Sequence, residues 1–256
     1  MTEEQKFLFD VRGWLLIPNV LDTAQIEAIK AHLYAGGNGF TGPAQELLDH
    51  PVVTDVLNDI LTEWEPNDDA YYFRCENSFV TIRQNGWKPG STDIPHVVCP
   101  PQSAGVMNYQ CKGNRIYSAL TRVVWELNPV EKDSGGTLFL SGSHKANFPY
   151  PSSVREIDNA HLESYSCPAG SVFIFTESLL HAATAWKDPN VDRVALFNCY
   201  NSIWAQWHRL NLDHDIIESM PPKRQSLFRG VYAIDFTARP VEKGRNRTYG
   251  LDNRAL

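Results

Sequence analysis

From Tyr71 onward the chain breaks into short apolar runs separated by glycine, proline and asparagine: YYFRCENSFVTIR, IPHVV, RIYSALTRVVWELNPV, GGTLFLSGS, SVFIFT and RVALFNCYNS. Runs of this length, rich in β-branched and aromatic residues and closed by turn formers, are strands, and a series of them specifies a β-sandwich or barrel. The segment Arg115 to Leu127 is bulky enough for a central strand, and VEKDSGG supplies the turn that follows it.

Helical segments flank this region. WLLIP reads as a short strand, and an amphipathic helix follows from about Thr23 to Tyr34, with Asp22 as N-cap, Gln25 completing a capping box, and Ile26, Ile29 and Leu33 on one face. A Gly/Asn break then precedes a second helical segment, about Ala44 to Trp64. After Ile203 the chain turns helical and polar again, with Pro221 and Pro222 leading into KRQSLFRGVY. The organisation expected is one domain over 1–256: a mainly helical part at 1–70, a β-barrel core at 71–203, and a helical or irregular part at 204–256.

Bulk properties narrow the partners. At 256 residues, 43% of them hydrophobic, the chain is long enough for one large core. A net charge of -7 provides no basic field for nucleic acid or an anionic membrane. Glu3, Glu4, Lys6 and Asp10 interrupt any secretory apolar region, and no run approaches the roughly 20 residues of a membrane span. The five cysteines, Cys75, Cys99, Cys111, Cys167 and Cys199, are odd in number and scattered, without Cys-x-x-Cys pairs, so they are expected reduced. A cytoplasmic protein follows as the expectation. The basic residues Arg239, Lys243, Arg245, Arg247 and Arg254 read as a solvated or frayed tail.

Two positions carry most of the chemistry. His181 follows the run SVFIFTESLL, and Arg193 lies twelve positions later at the start of RVALFNCY. A strand-borne arginine inside a barrel is costly unless an anion meets it, and a carboxylate does so with two parallel hydrogen bonds.

The sequence resembles the phytanoyl-CoA dioxygenase family of iron(II)- and 2-oxoglutarate-dependent oxygenases. The resemblance covers most of the chain and rests on FDVRGWLLIPNVLDTAQIEAI, on SGSHK at 141–145, and on the His181 to Arg193 segment with its flanking strands. SGSHK is similar to the family's Pro-Gly-Ser-His-Lys turn, with Ser141 in place of proline. The resemblance implies a double-stranded β-helix, a cupin-like jelly-roll barrel with flanking helices, in agreement with the pattern of runs. It also implies a metal held by a His-x-Asp pair early in the barrel and by a second histidine late in it, leaving coordination positions for 2-oxoglutarate and O2. Carried over by position, His96 and His181 are the metal ligands, Arg193 anchors the far carboxylate of 2-oxoglutarate, and Thr184 adds a hydroxyl.

The departure is at position 98, where valine stands in place of the expected aspartate. Three readings compete: a two-histidine site completed by water; a carboxylate from elsewhere, with Asp93 and Glu126 as nearest options; or a halogenase in which a halide fills the place. The activity expected is oxidation, foremost hydroxylation, of an unactivated C–H bond in a small-molecule substrate, with halogenation or a non-catalytic 2-oxo-acid-binding module as alternatives. The structural reading is preferred for the remaining candidates: His144 stabilises its turn, His208 and His214 are exposed, and most tryptophans pack.

Overall fold

The computed structural model describes residues 1–90, 94–98, 107–210 and 212–231. Helix α1 (Glu3–Arg12) runs into strand β1 (Trp14–Ile17) through Gly13, and α2 (Thr23–Tyr34) follows. The capping box of α2 is reciprocal: the Gln25 amide donates to Asp22 (2.8 Å) and the Asp22 amide donates to Gln25 (3.0 Å). Ile26, Ile29 and Leu33 are its buried face.

The second helical segment departs from the single helix that its periodicity suggests. It is a 3-10 turn (Gly42–Leu48) and a separate helix α3 (Pro51–Leu61). Pro51 has no amide to donate and disfavours helical backbone at His50, so the chain restarts there with proline in the first turn. Helix α1 itself was not anticipated, although its capping box, Thr2 with Gln5, stands in the sequence.

Strand β2 (Phe73–Arg83) begins the β region, and the hairpin β3 (Gln110–Lys112) and β4 (Arg115–Tyr117) turns through Gly113 and Asn114, both at positive φ, as a tight two-residue hairpin requires. The stretch from Arg115 to Leu127 is therefore not one strand. Ala119 at φ 58° breaks it, and β5 (Thr121–Glu126) starts afresh in another sheet. Next come β6 (Thr137–Phe139), β7 (Ser171–Thr176), β8 (His181–Ala183) and β9 (Arg193–Ser202).

The main sheet is antiparallel in the order β1-β7-β5-β9-β2. All residues of β5, β7 and β9 are buried, because both sheet faces are covered. Val123, Trp125, Ile174 and Leu196 face α2 and α3 in a cluster reaching from Phe9 to Phe228. Val124, Phe173, Phe175 and Phe197 alternate with them and pack against Phe139, Tyr165 and Trp186. A second, short sheet pairs β6 with β8, so that Phe139 lies opposite His181. Among the described residues the two sheets are not hydrogen-bonded into a closed barrel; the aromatic cluster fills the space between them.

Helices α4 (His214–Glu218) and α5 (Pro222–Gln225) return to the N-terminal layer, where Arg224 pairs with Asp49 (2.7 Å) and Glu46 (2.9 Å). The basic residues from Arg239 to Arg254 lie outside the described residues, as do Asp93 and Cys99. Cys75, Cys167 and Cys199 are buried free thiols and Cys111 is an exposed one. No described helix is long and apolar enough to cross a membrane.

Candidate metal centre

His181 opens β8, and on the side away from β6 its backbone pairs with that of His96. The His96 amide donates to the His181 carbonyl (2.9 Å), and the His181 amide donates back (3.0 Å). This bridge sets two imidazoles side by side with centroids 4.4 Å apart and planes inclined by 55°. Phe175 closes the ring of His181 from the sheet side at 4.9 Å.

Both rings are fixed in the same tautomer. His96 Nδ1 lies 2.7 Å from the Ile94 carbonyl, and His181 Nδ1 lies 2.8 Å from the Leu179 carbonyl, in each case two residues back along the chain. A carbonyl only accepts, so each Nδ1 carries the hydrogen and a neutral ring keeps its lone pair on Nε2. This is the arrangement of a metal-binding histidine whose other nitrogen is oriented by a backbone acceptor. Burial holds the His181 imidazole down, to about 4, although the neighbouring Glu177 carboxylate pulls the other way. The ring is neutral and able to bind a metal at physiological pH.

Glu177 was not among the sequence candidates. It lies in the link between β7 and β8, 1% exposed, with its amide donating to the Leu120 carbonyl (2.8 Å) and its carbonyl accepting from Val98 (3.1 Å). Arg122, on β5, places both Nε and Nη2 2.6 Å from Glu177 Oε1. The second oxygen, Oε2, is buried without a hydrogen bond and sits 3.4 Å from His181 Nε2. Burial alone would raise this carboxyl, but Arg122 foremost holds it below its usual range, so Glu177 is charged. A buried anionic oxygen facing a lone-pair nitrogen fits a cation. The only sequence signal for Glu177 was an acidic residue inside the otherwise apolar run IFTESLL, four positions before the histidine.

Arg193 is buried as expected of a strand arginine, and an anion meets it, but that anion is a side chain. Its Nε donates to Glu126 Oε2 (3.2 Å) and its Nη2 to Glu126 Oε1 (2.5 Å), with Tyr165 (3.3 Å) and Thr137 (3.5 Å) beside it. Burial opposes the charge, yet Glu126 and then Tyr165 hold the guanidinium firmly protonated. Glu126 is fully buried, not solvent-facing, and Tyr165 donates to it as well (2.5 Å), so its oxygens are committed away from the histidines. Thr184 is half-buried, just past β8.

The other histidines differ. His144 uses Nε2, not Nδ1, on a backbone carbonyl, that of Asp10 (3.0 Å), and stacks edge-on against Tyr109 in the manner of a structural residue. His208 and His214 are half-buried rather than exposed, and His208 Nδ1 stands 3.3 Å from buried Glu76. Trp125 and Trp186 are core residues, Trp204 packs on Trp64 at 5.3 Å, and Trp207 is exposed.

Residues 9–189 match the family model described as phytanoyl-CoA dioxygenase. The chain belongs to the phytanoyl-CoA dioxygenase family. Its members are iron(II)- and 2-oxoglutarate-dependent enzymes, as the sequence resemblance implied. Comparison with curated protein sequences returns no match. Among solved structures, the chain is similar to HygX from Streptomyces hygroscopicus with nickel and 2-oxoglutarate bound, at 16% identity and a TM-score of 0.66, over 84% of this chain and 94% of that one. It is similar to the α-ketoglutarate-dependent epimerase SnoN from nogalamycin biosynthesis, at 15% identity and a TM-score of 0.53, over 84% and 85%. The carbocyclase SnoK from the same biosynthesis has 14% identity and a TM-score of 0.54, over 87% and 92%. These likenesses show the jelly-roll fold of the family.

Proposed function

We propose that this chain is an iron(II)- and 2-oxoglutarate-dependent oxygenase that oxidises, foremost by hydroxylation, an unactivated C–H bond of a small-molecule metabolite. The observation that carries the reading is the pair of imidazoles at 4.4 Å, each with Nδ1 tethered to a carbonyl and Nε2 left for a metal. His96 and His181 hold the ion. Arg193 receives the far carboxylate of the 2-oxo acid, and Thr184 adds a hydroxyl. When bound, iron with 2-oxoglutarate and O2 supplies the oxidising power.

The chain's own contribution is placement and enclosure. Backbone pairing of His96 with His181 fixes the spacing of the ligands before any ion arrives, and Phe175 excludes water from one side. Relatives that bind hygromycin B and a nogalamycin compound support a small-molecule substrate. Among the described residues, four free thiols, three of them buried, support a reducing, cytoplasmic setting. Anaerobic reconstitution with Fe(II), followed by 2-oxoglutarate and O2, should yield succinate. His96→Ala and His181→Ala should each lower its formation by more than about 100-fold. Absence of iron binding by the wild-type chain would end this reading.

A second reading, a 2-oxo-acid-binding module without turnover, is favoured by Glu126, which sets an internal carboxylate on Arg193 where a cosubstrate would compete for it. Iron and 2-oxoglutarate binding with no succinate under any candidate substrate would select it.

A further inference from the structure

Strand β2 carries a β-bulge at Glu76. Cys75 lies opposite Tyr200 and Asn77 opposite Cys199, so Glu76 is the extra residue, and a bulge of this kind re-aims a side chain. Its fully buried carboxylate meets two groups from later in the chain, the Cys199 thiol on β9 and the His208 imidazole in the segment after β9. One ligand atom from each of the three lies within 4.8 Å of the other two. We propose that Glu76, Cys199 and His208 form a second metal site, for a thiophilic divalent ion of the zinc class, that ties the segment after β9 to the main sheet. Neither His96 nor His181 belongs to this cluster, so the inference stands apart from the oxygenase reading.

Three observations carry it. The first is the donor set, one sulfur, one imidazole nitrogen and one carboxylate oxygen gathered from separate parts of the chain. Such a set suits zinc, which accepts three protein ligands and completes its tetrahedron with water. The second is the spacing within the set. Glu76 Oε1 stands 3.3 Å from His208 Nδ1. That is longer than the about 2.7–2.9 Å of a charge-assisted N–H···O bond, and it matches the roughly 3.3 Å between neighbouring oxygen and nitrogen ligands on one tetrahedral ion.

Third, the ligands are held by their surroundings. The Trp207 amide donates to the other oxygen of Glu76, Oε2 (3.0 Å), which turns Oε1 toward His208, and the Gln206 side-chain amide donates to the His208 carbonyl (2.8 Å). Outer partners of this kind orient the ligands of metal sites. Arg74 stands 4.0 Å from Oε2, with its Nε and Nη1 donating to the carbonyls of Arg229 and Ala205. A buried carboxylate needs positive charge close by, and a divalent ion on Oε1 supplies it. Glu76 and Cys199 are sealed from solvent, whereas the His208 side chain is 25% exposed and gives an ion its way in. As the ion binds, the Cys199 S–H bond breaks, the sulfur keeps the electron pair for the metal, and the proton leaves to solvent.

The test is Co(II) and Zn(II) binding by the full, reduced chain, kept anaerobic and read without turnover. A thiolate ligand gives Co(II) a near-ultraviolet charge-transfer band that a site of nitrogen and oxygen lacks, so the band separates this site from the one at His96 and His181. Wild type, Cys111→Ser, which removes the exposed thiol, and the double variant His96→Ala/His181→Ala should all show the band. Cys199→Ser should lose it, His208→Gln should bind Co(II) more than about 10-fold more weakly, and Zn(II) should displace the Co(II) and abolish the band. A wild-type chain without the band, or a band that survives in Cys199→Ser, would overturn the inference. So would unchanged affinity in His208→Gln, which decides the matter should Cys199→Ser fail to fold. Loss of the band in His96→Ala/His181→Ala would overturn it too, because the sulfur would then belong to the first centre.

Discussion

His144 and His181 are both buried and both bonded to a backbone carbonyl, yet through opposite nitrogens, and that difference separates structure from chemistry. His144 spends Nε2 on Asp10, whereas His181 spends Nδ1 on Leu179 and keeps the outward nitrogen. The family resemblance, carried over by position, singled out His181, His96 and Arg193, because their order relative to the strand runs is visible in the sequence. Glu177 was hidden because its meaning lies in one unpaired oxygen, which depends on Arg122, 55 positions away. The partner of Arg193 was hidden for the same reason. Glu126 and Arg193 form a fully buried ion pair, and removing one member leaves the other charge uncompensated. Arg193→Met or Glu126→Met alone should cost about 3–5 kcal/mol, and the double substitution much less. Urea unfolding of the four chains closes this cycle; additive losses would show that the two groups do not depend on each other.

The turn at 141–145 is an element whose motif has a mechanical explanation. The Gly142 amide, at φ 80°, donates to the Arg12 carbonyl (3.0 Å), and His144 reaches Asp10, so the turn docks onto the end of α1. The Ser143 hydroxyl accepts from the Leu180 amide (2.8 Å), which fixes the segment just before His181. Ser141, which replaces the family's proline, accepts from the Trp14 indole (2.9 Å). Gly13 makes this docking possible. It caps α1 at φ 84°, and a Cβ there would stand 2.6 Å from His144 Nδ1 and 3.0 Å from Leu179. Gly36, at φ 85°, has nothing within 4 Å of the same atom. Gly36→Ala should therefore cost about 1 kcal/mol from backbone strain alone, and Gly13→Ala clearly more, on the order of 3 kcal/mol. Equal losses in urea unfolding would mean that α1 and the turn yield freely. Elements of this kind were legible as types but not as boundaries: one proline divided the second helical segment, and one residue at positive φ, Ala119, divided the central strand.

At the scale of the whole molecule, neutral imidazoles sealed between elements make stability depend on pH. His144 is fully buried between α1, Tyr109 and Gly13, and burial holds it down to about 4; His181 is held down to about 4 for the same cause. An unfolded chain protonates both near 6.5. Between the two values the unfolded state binds more protons, so stability is full above about pH 6.5 and is lost as pH falls toward 4. Each such histidine removes about 2 kcal/mol between pH 8 and pH 5. The lowered carboxyls Asp10, Glu46 and Glu177 act in the same direction, but only below the ordinary carboxylate range, outside this window. These two histidines should therefore remove roughly 4 kcal/mol from pH 8 to pH 5 in urea unfolding of the metal-free chain, with His50, also held down by burial, adding in the same direction, and His144→Gln, whose side chain does not titrate, should lose about 2 kcal/mol less than wild type. A metal ion bound at His181 competes with its proton only as pH falls toward 4, so saturating Ni(II) should raise the melting temperature at pH 8 and lose this effect below about pH 4. If His144→Gln keeps the full slope, the ring accepts a proton in the folded state, and the contact that joins α1 to the turn before the metal centre is open to water.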